Sequence, residues 1–304
     1  MTETTIEPQL NGEQLIFLTG AARSGTTYLQ KLLASHPQVK TGPESHLFSL
    51  YIDPLLKAWQ YQVDAAIKDT RSGLGMPSYM DEEQYFASLD LFLSQLLQPM
   101  LAQLQENERF LEKSPSHVNS LPAIHKLLPQ AKIIHIIRDP RDVVASVLAA
   151  SRSWGKNWAV DSAKIAAYTW CEQMNNVEAF AKTLDPSIFF EIRYEDLTAD
   201  PMKSLQKIGE FLELTWSTAE LEEAIASNSL QASRKTGGTA IPVGGLIAES
   251  RGKVLQEPTG FVRKGKPGSW KTDLTVFEKL IVWVMAKSTM EKFGYSWQFP
   301  WLSQ

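Results

Sequence analysis

Gln14–Thr27 reads QLIFLTGAARSGTT. An apolar run ends at Gly20, and the chain then passes through a second glycine, Gly25, into two threonines. Continuous hydrophobicity without alternation is the pattern of a strand buried on both faces of a parallel sheet. Thr26–Ser35 follows with apolar residues at helical spacing (Tyr28, Leu29, Leu32, Leu33), so the unit is strand, loop, helix. The glycine spacing is that of a Walker A loop, GxxxxGK[ST]. Such a loop wraps backbone N–H groups around a phosphate at a helix N-terminus, where the helix dipole favours an anion. One departure matters. Thr26 stands where that pattern has lysine, and the cation, Arg23, sits inside the loop, while Thr27 keeps the hydroxyl. The loop reads as a phosphate cradle without the lysine that serves β- and γ-phosphates, which speaks against an ATP- or GTP-hydrolysing motor or switch.

Outward from this unit, Lys132–Ile137 (KIIHII) is a second buried strand, again running through a loop, RDPRDVVAS, into a helix. Ile188–Ile192 is a third strand, Arg109–Lys113 a candidate fourth and Val39–Gly42 a short extended piece; RYEDL (193–197) reads as a turn. Helical spacing covers 46–70, 82–105, 121–128, 160–184, 199–213, 218–228 and 274–292. Strands alternating with helices predict an α/β fold, a three-layer sandwich with a central parallel sheet. Residues 1–13 read as a tail, and 14–304 as one domain with a helical insert at 46–105 and a Gly-, Ser- and Lys-rich loop at 232–272, long enough to be an active-site lid.

Composition narrows the function. The 304 residues carry 30 Lys+Arg against 34 Asp+Glu, a net charge of -4, so no general field attracts nucleic acid or an anionic membrane. The longest apolar run, Leu280–Ala286, is far short of the roughly 18 residues of a membrane helix. The polar, acidic N-terminus is unlike a secretory signal, and a cytoplasmic protein is expected. The single cysteine, Cys171, lies in a helical pattern and reads as a core residue. Histidines 36, 46, 117, 125 and 135 show no HxxxH or HxH pairing, so no metal site is expected.

Two loops that follow buried strands open at the same edge of a parallel sheet, where ligands bind beyond the carboxyl ends. Each brings an arginine and hydroxyls, which suggests a ligand with two separate phosphates. In the second loop Arg138 is suited to multidentate phosphate contact, with Ser146 one helical turn inside. Arg138 or Arg141 can also pair with Asp139 or Asp142 at the helix start, and Arg141 and Asp142 read as members of such pairs. A third basic element is Arg263-Lys264-Gly265, followed by Pro267–Lys271.

Together these residues resemble the sulfotransferases that use 3'-phosphoadenosine 5'-phosphosulfate (PAPS). AARSGTTYL looks like the family's 5'-phosphosulfate loop, closest to the RSGTT run of the tyrosylprotein type. RDPRDVVAS looks like its 3'-phosphate motif, RYEDL like its YEDL segment, and RKGKPGSWK like its RKGxxGDWK element with Ser269 in place of aspartate. The matches run from residue 18 to 271 in the family's order. The resemblance implies sulfuryl transfer from PAPS to a hydroxyl or amine, by in-line transfer with a general base, leaving adenosine 3',5'-bisphosphate. It implies nucleotide contacts from Arg23, Ser24, Gly25, Thr26, Thr27, Arg138, Ser146, Arg263, Lys264 and Gly265, with Tyr28 and Tyr194 near the adenine.

Arg23 and Lys113 are the candidate catalytic cations. Two residues compete as the base. Glu44, in KTGPESH, lies where the tyrosylprotein type carries its glutamate; His117, in KSPSH, lies near the histidine of cytosolic members. A carboxylate needs a raised pKa or exact placement to act near neutrality, and histidine needs less tuning. The expected acceptor is a small molecule, shaped by the insert and the 232–262 loop, with Trp59, Tyr79, Tyr85 and Phe86 as candidate lining and Glu249 and Glu257 as loop carboxylates. Two other readings compete. A P-loop small-molecule phosphotransferase predicts dependence on ATP and Mg²⁺. A non-catalytic nucleotide-binding protein predicts binding without transfer.

Overall fold

The computed structural model describes residues 10–68, 75–229, 240–242, 254–256, 258, 261 and 264–296. Arg263, Glu249 and Glu257 lie outside the described residues.

The LIFLT run forms β1 (Leu15–Thr19), every residue of which is buried. The loop then enters α1 (Thr26–Leu33). β2 (Val39–Thr41) precedes a π-helical turn, Leu47–Ile52, that continues into α2 (Asp53–Lys68). The insert is completed by α3 (Glu82–Leu101), started by an Asp81–Gln84 capping box. β3 (Arg109–Lys113), a short 3₁₀ turn (Pro115–Asn119) and α4 (Leu121–Leu127) lead to β4 (Lys132–Ile137) and α5 (Pro140–Ser151). Then come α6 (Ala163–Ala181), β5 (Phe189–Arg193), α7 (Tyr194–Ala199), α8 (Pro201–Leu212) and α9 (Thr218–Ser227). β6 (Ala240–Pro242) and β7 (Val254–Gln256) pair antiparallel, and α10 (Trp270–Asp273) and α11 (Val276–Lys292) follow.

The main sheet has the order β2-β3-β1-β4-β5, every neighbouring pair parallel. β1 lies at its centre, which is why its side chains are apolar on both faces. Leu15 and Phe17 point into a core shared with α5, α6, α11 and the insert. Ile16 and Leu18 point the other way, onto α1 and α8. The two clusters make the outer layers of the expected sandwich, and Cys171 sits buried in the first of them.

Two expectations about elements change. RYEDL is not a turn: Tyr194 begins α7, with Glu195 and Asp196 in its first turn, where the helix dipole favours carboxylates. The 232–272 stretch holds a two-stranded antiparallel pair and the short α10.

Candidate active site

The loop between β1 and α1 works because of its backbone. Gly25 has φ 100°, in the left-handed region, and a Cβ there would collide with the Tyr194 ring. A Cβ on Gly20 would strike the Ile136 carbonyl of β4. Arg23 also has a positive φ, 73°. The Ser24 hydroxyl and the Arg138 Nε–H are buried and have no hydrogen-bond partner among the described residues. Unsatisfied buried donors beside a helix N-terminus are what an anion would complete, so the cradle fits a phosphate group.

Arg138 directly follows β4 and turns back to this loop. Its Nη1 donates to the Arg23 carbonyl at 3.1 Å, and its guanidinium lies 4.3 Å from the centre of the Tyr194 ring. Arg23 Nε donates to Ser146 Oγ at 3.0 Å, and its Nη2 to the Phe261 carbonyl at 2.6 Å. Tyr194 Oη donates to the Gly265 carbonyl at 2.7 Å. Burial pushes the Tyr194 phenol up, against the opposing charge of Arg138, so it stays a donor. Tyr28 meets the Tyr194 ring edge-on at 6.5 Å.

Asp142 fixes the third basic element. Its carboxylate accepts from the Gly268 N–H (2.6 Å), the Trp270 N–H (2.9 Å) and Ser269 Oγ (3.0 Å). Of the helix-start charge pairs the sequence allows, the one formed is Arg141 with Asp139, with Nε 2.9 Å and Nη2 2.6 Å from its two oxygens.

Glu44 stands across the cleft. One of its oxygens is ion-paired with Lys113, which also lies 3.4 Å from Thr27 Oγ1. The other is 3.5 Å from His46 Nε2, whose Nδ1 is 3.1 Å from Ser116 Oγ. Lys113 is only 5% exposed, so this cation is desolvated and strong. His117 is placed differently from the expectation. It is fully buried, its Nε2 accepts the Phe48 N–H at 3.1 Å, and its Nδ1 lies 2.8 Å from Glu112 Oε2. It does not line the cleft.

A single cavity of about 540 Å³ joins these pieces. Arg23, Gly25, Thr26, Thr27, Tyr28, Glu44, Arg138, Ser146, Tyr194, Lys264 and Gly265 all line it. So do residues the sequence did not single out: Ser116 and Asn119 from the 3₁₀ turn, Trp154 and Trp158 after α5, Gln173 of α6 and Phe261. The two tryptophans were signalled only by WGKNW, an aromatic pair in a Gly–Lys–Asn stretch. The insert's aromatics do not line it. Trp59 of α2 stacks on Tyr85 of α3 at 4.1 Å, Tyr85 meets Phe86 edge-on, and Tyr79, between the two helices, is exposed. Among the described residues no cluster of His, Cys, Asp or Glu is arranged to hold a metal, and no helix is long and apolar enough to cross a membrane.

An open parallel sheet, a glycine loop between β1 and α1, and cations gathered at the carboxyl ends of the strands define a phosphate-binding α/β protein of the P-loop type. Residues 15–218 match the family model described as the sulfotransferase family, and the chain belongs to that family. It is 27% identical over 219 residues to protein-tyrosine sulfotransferase 1 of Danio rerio, covering 68% of this chain and 55% of that one. It is 26% identical over 197 residues to flavonol 3-sulfotransferase of Flaveria bidentis, covering 59% and 62%. The chain thus spans less than two thirds of either relative. Among solved structures, a mouse sulfotransferase complexed with PAP shares the fold with a TM-score of 0.58 at 17% identity, covering 92% of this chain and 85% of that one.

Proposed function

We propose that the protein transfers a sulfuryl group from PAPS to a hydroxyl or amine of a small-molecule acceptor, releasing adenosine 3',5'-bisphosphate. The observation that carries this reading is the meeting of Arg23, Arg138, Ser146, Lys264 and Glu44, from separate stretches of the chain, around one cavity. Bound PAPS supplies the sulfuryl group and a phosphate leaving group. The amides of the Ala22–Thr27 loop and the Thr27 hydroxyl hold the 5' side. Arg138, Ser146 and the Arg263–Gly265 element hold the 3'-phosphate, and Tyr28 and Tyr194 border the adenine. Glu44 takes the acceptor's proton. Lys113, already on Glu44 and near Thr27, stands where charge on the transferring oxygens is neutralised. Preorganised cations of this kind act without reorganisation cost at the moment of reaction. The aromatic wall of Trp154 and Trp158 supports a small-molecule acceptor.

The test is thermal stability with adenosine 3',5'-bisphosphate, and separately with ATP, each with and without Mg²⁺. A ligand bound only by the folded state at about 100 times its Kd adds roughly 2.7 kcal/mol. Selective, metal-independent stabilisation by the 3',5'-bisphosphate is expected. Stabilisation by ATP and Mg²⁺ alone would overturn the reading in favour of a phosphotransferase. Binding of the bisphosphate with no transfer to any acceptor offered would leave a nucleotide-binding protein.

A further inference from the structure

We infer that Glu112 and His117 form a buried clamp that positions the turn carrying Glu44, so that His117 is a positioning residue. This rests on the reading above, in which Glu44 takes the acceptor's proton.

The π-helical turn at Leu47–Ile52 starts three residues after Glu44, and the first amides of a helix have no partners within it. Here four successive amides find theirs outside the turn or at its edge. The Ser45 N–H donates to Glu112 Oε1 at 3.2 Å, and the His46 N–H to Ser114 Oγ at 3.1 Å. The Leu47 N–H donates to Ser45 Oγ at 3.1 Å, and the Phe48 N–H to His117 Nε2 at 3.1 Å. All four acceptors converge on one carboxylate. Glu112 Oε1 also receives Ser45 Oγ at 2.6 Å and Ser114 Oγ at 2.7 Å, and Oε2 faces His117 Nδ1 at 2.8 Å.

The same contacts fix the imidazole tautomer. A backbone N–H only donates, so Nε2 accepts and the ring proton sits on Nδ1, toward Glu112. Both ring nitrogens therefore face groups inside the protein, and the side chain is 1% exposed, as is that of Glu112. Burial raises the Glu112 carboxyl, but His117 and the two serine hydroxyls outweigh it and hold it below the ordinary carboxylate range. Neighbouring residues of one strand thus divide the work: Lys113 pairs with the Glu44 carboxylate, and Glu112 secures the backbone beside it. The turn needs securing, because His46 holds a left-handed φ of 52° without being glycine.

Glu112→Gln, His117→Ala and His117→Gln test this against the parent protein. The readouts are amide hydrogen exchange at 45–48, adenosine 3',5'-bisphosphate binding, and turnover of PAPS with 4-nitrophenol as acceptor probe. In Glu112→Gln and His117→Ala the four amides are expected to exchange faster. Their kcat should fall about 10- to 100-fold, the range for an ångström-scale misplacement, with bisphosphate affinity and the KM for PAPS unchanged. His117→Gln, whose amide offers both a donor and an acceptor, should recover most of the rate and the protection.

Unchanged exchange in both Glu112→Gln and His117→Ala overturns the clamp. So does a His117→Gln variant with protected amides and the same rate loss as His117→Ala, which would make His117 the base. If either variant fails to fold, Ser45→Ala and Ser114→Ala, each deleting one hydroxyl, read the same clamp at residues 47 and 46; parental exchange there overturns it. If Glu44→Gln keeps the parental rate, the assignment of the base fails, and the exchange measurement still decides whether the clamp holds the turn.

Discussion

Gly25 meets two demands at once. Its φ of 100° excludes a relaxed side chain, and the Tyr194 ring occupies the space a Cβ would need. That ring in turn lies under Arg138. Gly25→Ala is therefore expected to lose about 1–3 kcal/mol of stability. It should also weaken adenosine 3',5'-bisphosphate binding by about tenfold or more, the equivalent of 1.4 kcal/mol. Urea unfolding and calorimetric titration check both; parental values would show that the loop tolerates a left-handed alanine and that the ring is free to move. Single residues whose role follows from spacing were legible in the sequence. Gly25, Arg138 and Ser146 are fixed by their offset from a strand end, and the strand itself is unmistakable. Glu112 and His117 were not legible in the same way. Whether a side chain just past a strand faces the cleft or the core depends on the 3₁₀ turn at Pro115–Asn119, which KSPSH does not announce.

At the scale of elements, the long-range tie is Asp142. It is 1% exposed and lies in the first turn of α5, yet it binds a loop that follows 126 residues later. Through that loop it sets Lys264 and Gly265 at the cavity, where the Gly265 carbonyl receives Tyr194. Asp142→Asn replaces one accepting oxygen with an amide that meets N–H groups. The expected loss is about 1–3 kcal/mol, the cost of leaving buried donors unsatisfied. Weaker bisphosphate binding should accompany it, read by thermal unfolding and titration. Lower stability with parental binding would disconnect the loop from the nucleotide site. Sequence alone suggests a local partner for Asp142, because charge pairs at a helix start are common, whereas a contact across so long a separation leaves no periodic trace. The same limit explains the 240–242 and 254–256 pair: three-residue strands are too short to show alternation. RYEDL is another case: as five residues after a strand it shows no helical period, and its carboxylates are first-turn residues of α7.

At the scale of the molecule, the sheet order places β1 between β3 and β4, so the elements that follow these three strands open on one edge. The cation-rich cleft lies there, although the chain as a whole carries a net charge of -4. The same arrangement buries Glu112 at the end of β3, and this has a consequence for acid stability. An unfolded chain takes up a glutamate proton near the ordinary value of 4.5, while folded Glu112 does so only at lower pH. Between those two values the unfolded state binds more protons, so the contribution of Glu112 is complete above 4.5 and lost as pH falls through the folded value. Each unit of lowering is worth about 1.4 kcal/mol. Glu195 acts in the opposite sense. Burial raises it, against hydrogen bonds from the Asp139 N–H and Tyr295, so its contribution is present below 4.5 and fades as pH rises through its folded value. Urea unfolding of the parent and Glu112→Gln, from about pH 7 down to about pH 3, separates the two effects. Glu195 is common to both proteins and cancels in the difference. The gap in stability between them is expected to be constant above 4.5 and to shrink below it; a gap that persists unchanged to the acid end would mean that Glu112 is not held ionised by its neighbours.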